Sequence, residues 1–244
     1  MNPMVTGNGS VEPVVPNVAD APPLEAHQIS VVAVAAGHGL GEIFRSLGAA
    51  AVVIGGQGHN PSTEEILEAI EQAPTDHVIV LPNNKNVILA ARAAQELSEK
   101  EVAVVPTRTA PQGISAMLAL DPDGDLRQTC EEMEEAYQHV ASGEITIASR
   151  SVVMSGVQVI EGQIIGLVDG KVCSAGTDMD EVLTNTLRTM AVEECELVSI
   201  YYGEDVSEEE AEAVAARIEE LYPDVEAELL AGGQPHYMYI LGAE

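Results

Sequence analysis

His77-Val78-Ile79-Val80-Leu81-Pro82-Asn83-Asn84-Lys85-Asn86-Val87 is the stretch whose reading decides the fold. An unbroken apolar run ends at a Pro-Asn-Asn turn and passes directly into the amphipathic stretch 87–97, which predicts a strand followed by a helix. The strand lacks alternation, so it is expected to be buried on both faces, as in a parallel sheet. Asn83 or Asn84 is placed to cap the helix by accepting a hydrogen bond from a first-turn amide. The same turn gathers free amides, the positive end of a helix dipole and Lys85, a combination suited to an anion or a partner's carboxylate.

Working outward, the same alternation recurs. Residues 30–36 read as a strand, 39–47 as a short helix, 50–54 as a second strand and 101–105 as a fourth. The helix at 61–73 carries Ser62 and Glu65 at capping-box spacing, with Ile66, Leu67 and Ile70 on one face. Helices follow at 114–120 and 126–140. This alternation predicts an α/β fold with a doubly wound, largely parallel sheet.

After Ser142-Gly143 the style changes. Strands are expected at 144–150 and 157–160, and Ser155-Gly156 is read as a turn. Residues 163–168 and 171–175 form a β-hairpin around Asp169-Gly170, because Asp-Gly supplies the positive φ angles of a tight turn. A helix at 178–191, a strand at 197–202, a helix capped by Ser207 with Glu210, and strands at 225–230 and 237–241 complete a mixed α/β second lobe. The expected organisation is a flexible Pro/Gly/Asn-rich arm at 1–29, a first lobe at 30–142 and a second at 143–244. Residues 31–57 and 198–234 share the order strand, glycine turn, helix, strand, Gly-Gly-Gln, which suggests a repeated unit.

Composition narrows the partners. Forty acidic residues against ten Lys and Arg give a formal net charge of −30, which repels phosphate backbones and anionic membrane surfaces. Aromatics make up 3% of the chain, so stacking on bases is disfavoured as well. Cys130, Cys173 and Cys195 have no CxxC spacing, and the chain shows no signal-peptide pattern, which together fit a reducing, cytoplasmic setting.

In an open parallel sheet ligands bind beyond the carboxyl ends of the strands. Four polar loops fall at that edge: Gly37-His38-Gly39; the stretch containing Gly55, Gly56, Gln57, Asn60, Ser62 and Thr63; Asn83 to Asn86; and the stretch containing Thr107, Arg108, Gln112 and Gly113. Each taken singly is explained by turn chemistry, glycine for positive φ and Asn or Ser for caps. Four together indicate a binding edge. Gly37-His38-Gly39 lacks the longer phosphate-binding forms. His38, His59 and His236 lie in glycine-containing loops but without metal-ligand spacing, and no serine sits in a nucleophile elbow. Neither a metal nor a catalytic residue is expected.

Gly55-Gly56-Gln57 with Asn60-Pro61-Ser62-Thr63, then 81–86 (LPNNKN), then Pro106-Thr107-Arg108-Thr109 with Pro111-Gln112-Gly113, resembles the C-terminal region of the dihydroxyacetone-kinase-like ATP-binding subunit of bacterial fatty acid kinases. Tyr202-Gly203-Glu204-Asp205 and Gly232-Gly233-Gln234-Pro235 are similar to the end of the same proteins. The resemblance departs at His38 and His59, and Arg108 stands where lysine is usual. It implies that ATP and magnesium belong to an N-terminal domain absent from this sequence, and that no cofactor is held here. It further implies a DegV-like fatty-acid-binding partner, whose acyl carboxylate the kinase phosphorylates for phospholipid synthesis. The partners expected are that protein, the kinase's own ATP-binding domain and a second copy in a homodimer. The alternatives are a stand-alone domain whose strand-end loops bind phosphate or a phosphorylated ligand, or transfer a phosphoryl group through His38, and a dimerisation scaffold.

Overall fold

The computed structural model describes residues 24–55 and 60–244. Residues 1–23 of the expected arm, and Gly56, Gln57 and His59 of the second loop, lie outside them.

The first sheet contains β1 (Ile29–Ala35), β2 (Ala51–Ile54), β3 (His77–Leu81) and β4 (Glu101–Val104), all parallel, in the order β2-β1-β3-β4. Between them run α1 (His38–Ser46), α2 (Thr63–Gln72) and α3 (Ile88–Leu97). Val31 and Ala33 of β1 turn to Leu40 and Phe44 of α1, whereas Val32 and Val34 turn to Ile66 and Ile70 of α2 and Ala91 and Ala94 of α3. Helices on both faces explain why these strands are apolar without alternation. Phe44, the chain's one phenylalanine, is completely buried.

α4 (Ala110–Leu118) and α5 (Leu126–Gln138) return on the α1 side, where Ala116, Met117 and Met133 join the same core. The chain then enters β5 (Ala141–Ile147), a short hairpin of β6 (Val152–Met154) and β7 (Val157–Val159), and the hairpin of β8 (Ile164–Val168) and β9 (Lys171–Gly176). After α6 (Met179–Thr189) come β10 (Leu197–Tyr202), α7 (Glu208–Leu221), β11 (Glu226–Ala231) and β12 (Tyr237–Ala243). The resulting mixed sheet has six strands in the order β11-β10-β12-β5-β8-β9. Its outer face packs Ile145, Ile200 and Leu241 on Leu183 and Leu187 of α6 and on Val214 and Ile218 of α7. Tyr201 and Ile240 alternate to the inner face and join the core beneath α1 and α4. The two sheets therefore share one apolar layer, with helices outside each.

The repeated unit is real at the level of topology. β1-α1-β2 and β10-α7-β11 are both parallel strand-helix-strand units. Both predicted capping boxes are formed, Ser62 with Glu65 and Ser207 with Glu210. Asp169 and Gly170 take φ of 50° and 74° at the β8–β9 turn, as a tight hairpin requires.

Two element starts and one short strand stand out against the sequence reading. α4 starts at Ala110 rather than 114, because Thr109 caps it by accepting from the Gln112 amide and Pro111 fits the first turn. β5 starts at Ala141, where pairing with Ala243 of β12 extends it backwards. β6 lies where no strand was expected, a three-residue segment paired with β7 across Ser155-Gly156.

A candidate binding edge at the ends of the parallel strands

Strand order reverses between β1 and β3, and there the crossovers leave on opposite faces, α1 on one and α3 on the other. Such a point opens a crevice in an α/β sheet. Here the crevice is filled by Asn83. Its backbone sits at φ 52°, which turns the side chain back toward the strand ends. Nδ2 donates to the Val34 carbonyl at 2.9 Å, just past the last β1–β3 pair, Ala33 with Leu81. Oδ1 accepts from the Thr107 hydroxyl at 2.7 Å, and the Asn83 amide donates to Thr107 Oγ1 at 3.1 Å. Gly113 must be glycine to admit this side chain, since a β-carbon there would stand 2.6 Å from Asn83 Cγ.

Asn83 therefore does not cap α3, contrary to the sequence reading. Asn84 Oδ1 accepts from the Asn86 amide at 2.9 Å and closes a local turn, and α3 begins at Ile88 without a side-chain cap. An asparagine in the left-handed region finds better partners in the adjacent strand ends than in the helix that follows.

The Gly37-His38-Gly39 turn is filled by the mixed sheet. The Leu40 amide at the start of α1 donates to the Gly232 carbonyl at 2.8 Å. A β-carbon on Gly37 would stand 2.6 Å from the Gly233 oxygen, and one on Gly39 would stand 2.6 Å from the Gly232 oxygen. These glycines permit backbone to lie on backbone, and the helix terminus meets a carbonyl where an anion was considered. His38 points out, exposed. Opposite, Gln234 is completely buried and donates to the Tyr201 carbonyl at 2.7 Å, which holds the β11–β12 connection in place.

The rest of the edge faces outward. Lys85, Asn86 and Arg108 are exposed and Asn84 is half-buried, while Asn60 and Ser62 are exposed on the neighbouring loop, beside half-buried Thr63 and buried Gly55. Thr107 is buried, and Gln112 Oε1 accepts from the Arg108 amide at 2.9 Å, which stiffens the loop that carries the guanidinium.

Lys85 also reaches the mixed sheet. Its ammonium lies 3.2 Å from where a β-carbon on Gly170 would stand, so it sits over the β8–β9 turn. Burial pushes the Glu144 carboxyl above the usual carboxylate range; Lys85 pulls it back, and Asp169 pushes it further up. The Thr109 and Ser142 hydroxyls meet at 2.7 Å across the same seam. Ser142, Glu144 and Asp169 were not picked out in the sequence as parts of this edge. The available signal was Glu144, an acid that alternates with Ile145 and so falls on the opposite face of the strand from that core residue. Among the described residues no group of His, Cys, Asp and Glu is placed to hold a metal ion. The edge combines two cations and several amide donors, which is chemistry for recognising carboxylates.

The chain matches the FakA-like C-terminal family of fatty acid kinase over residues 30–244, and it belongs to that family. Protein YloV of Bacillus subtilis (strain 168) is 39% identical over 214 residues, covering 88% of this chain and 39% of that protein. An uncharacterized protein of Staphylococcus aureus (strain USA300) is 36% identical over 223 residues, covering 91% of this chain and 41% of that protein. The chain thus spans about two fifths of the length of these curated relatives.

Among solved structures, a DegV family protein from Corynebacterium glutamicum superposes with a TM-score of 0.63 at 13% identity, covering 89% of this chain and 96% of that one. The Streptococcus pneumoniae fatty acid kinase B3 protein loaded with linoleic acid gives 0.59 at 9%, covering 88% and 99%. The dihydroxyacetone kinase from C. freundii gives 0.58 at 16%, covering 90% of this chain and 49% of that one. At such identities the likeness is one of fold. No helix among the described residues is long and apolar enough to cross a membrane.

Proposed function

We propose that this chain is the recognition region of a fatty acid kinase, docking a DegV-like fatty-acid-binding protein so that its acyl carboxylate reaches an ATP-binding domain in the longer protein. ATP and magnesium belong to that other domain, and no step of phosphoryl transfer is assigned to residues of this chain. The observation that carries the reading is the pair of exposed cations, Lys85 and Arg108, on adjoining loops of a chain with forty acidic residues and ten Lys and Arg. Cations so scarce, placed beside Asn84 and Asn86, suit acidic groups on a partner and speed its encounter. Membership of the kinase family supports the same reading, as does the fold shared with DegV proteins.

The test is the double variant Asn84→Ala, Lys85→Ala titrated with the loaded partner. Affinity should fall by about tenfold or more, the size of a lost charge-assisted hydrogen bond. The thermal midpoint should stay close to that of the parent. Unchanged affinity would move the docking face elsewhere.

A further inference from the structure

α3 is apolar on two sides. Ala91 and Ala94, with Val87 at the cap position, are buried in the core over the parallel sheet. On the outer side Leu89, Ala93 and Leu97 recur at every fourth position, which sets them in one line along the helix. Leu89 is 77% exposed and Leu97 64%, with Ala93 half-buried between them. No other large apolar side chain among the described residues is as open to solvent as Leu89. A helix packed on a sheet normally turns polar residues outward. The neighbouring α2 does so with Glu64, Glu68 and Glu71. Single exposed leucines are ordinary, but two in line with an alanine between them form a patch.

The seam begins at the docking edge. Leu89 stands in the first turn of α3, just beyond Lys85 and Asn86, whereas Leu97 closes the helix about 12 Å further along its axis. Arg92 follows Leu89 by three residues, so it shares that face, and it is exposed. Several of the chain's cations are engaged within the fold. Arg45, Arg127 and Arg217 pair with acids, and Lys100 donates to three carbonyls at the end of α2. Arg92 makes no ion pair or side-chain hydrogen bond among the described residues, although Glu96 is one turn away on the same helix.

An exposed leucine beside an unpaired guanidinium fits a protein surface of one kind. The leucine gains by leaving water, in proportion to the area covered. The guanidinium gains from carboxylates, which it can bind through two hydrogen bonds at once. A second copy of this chain suits the seam less well. α2 packs beside α3 on the same side of the sheet, and its outward Glu64, Glu68 and Glu71 would meet like charges.

We infer that the docking edge continues onto the outer face of α3, where Leu89 enters an apolar recess of the partner protein and Arg92, with Lys85, meets carboxylates on the rim of that recess. The inference rests on the docking reading and specifies the partner surface it requires, apolar at the centre and acidic around it.

The test is calorimetric titration of the whole chain with the fatty-acid-loaded DegV-like protein at low and high salt, beside Leu89→Ala, Arg92→Glu and Leu118→Ala. Leu118 is the comparison, 68% exposed at the end of α4 on the opposite side of the parallel sheet. Leu89→Ala should weaken binding by about tenfold or more at both salt concentrations, because burial of apolar area is not screened. Arg92→Glu should weaken it by about tenfold at low salt and much less at high salt. Leu118→Ala should bind as the parent does. Circular dichroism verifies that the variants are folded. Parent-like affinity in both Leu89→Ala and Arg92→Glu overturns the inference, and the docking reading stands if Asn84→Ala, Lys85→Ala still loses affinity. Absence of saturable binding by the parent overturns both. Self-association of the chain alone that disappears in Leu89→Ala, followed by sedimentation velocity, gives the seam to a second copy and overturns the partner assignment.

Discussion

Thr107 and Asn83 bond each other twice: the Asn83 amide donates to Thr107 Oγ1 at 3.1 Å, and that hydroxyl donates to Asn83 Oδ1 at 2.7 Å. The pair ties the ends of β3 and β4 together, and Nδ2 of the same asparagine ties them to β1. Thr107→Val keeps the shape and removes both bonds at a completely buried position, so it should cost about 1–3 kcal/mol. Asn83→Ala loses the two side-chain hydrogen bonds, to Val34 and from Thr107, and places alanine at positive φ, for about 2–4 kcal/mol. Urea denaturation measures both. A cost near zero for either would mean that the crevice is not held by this pair.

Gly39, at the start of α1, lies against the backbone of the β11–β12 connection. Gly39→Ala would push a methyl group into the Ala231 and Gly232 carbonyls, and backbone cannot move aside as the end of a flexible side chain would. We expect a loss of about 2–4 kcal/mol, with faster proteolysis, whereas His38→Ala on the exposed side should stay within about 0.5 kcal/mol.

Glu144 gives stability a slope with pH. Its folded pKa is raised, so between its ordinary value of 4.5 and that higher value the folded protein holds the proton more tightly than the unfolded chain. The contribution of this residue to stability therefore falls as pH rises through that window. Glu144→Gln should stabilise the protein more at pH 7.5 than at pH 4.5 when urea midpoints are compared. Lys85→Ala should raise the Glu144 pKa further, because it removes the cation that pulls it down. A Glu144→Gln gain independent of pH would contradict this.

Cys130 should be the slow thiol. Burial, helped by Glu134 and Glu131, pushes it up to about 11 from an ordinary 9.0. At pH 8 the thiolate fraction is then about one in a thousand instead of about one in ten. Iodoacetamide labelling followed by mass spectrometry should show Cys130 modified readily only after unfolding. Prompt labelling of the native chain would place it at the surface.

Much of this architecture was legible because its causes are local. The unalternating runs at 77–81 and 30–36, the Ser-Glu capping boxes and Asp169-Gly170 each name their own structure, whatever packs against them. The candidate edge was legible as a place but less so in its parts. Glycine serves equally for a positive φ and for close backbone approach, and the sequence does not say which; at Gly39 the second holds, and its reason lies at Gly232, far along the chain. Asn83 read as a cap because its strongest partners, Val34 and Thr107, come together only when β1 and β4 flank β3. β6 escaped notice because three residues carry too little pattern.

The most direct test of the account is calorimetric titration of this chain with the fatty-acid-loaded DegV-like protein from the same organism, at low and at high salt and without ATP. The account predicts saturable binding that weakens as salt rises, because Lys85 and Arg108 meet acidic groups at an exposed edge. Absence of binding at high micromolar concentration, or binding indifferent to salt, would contradict it.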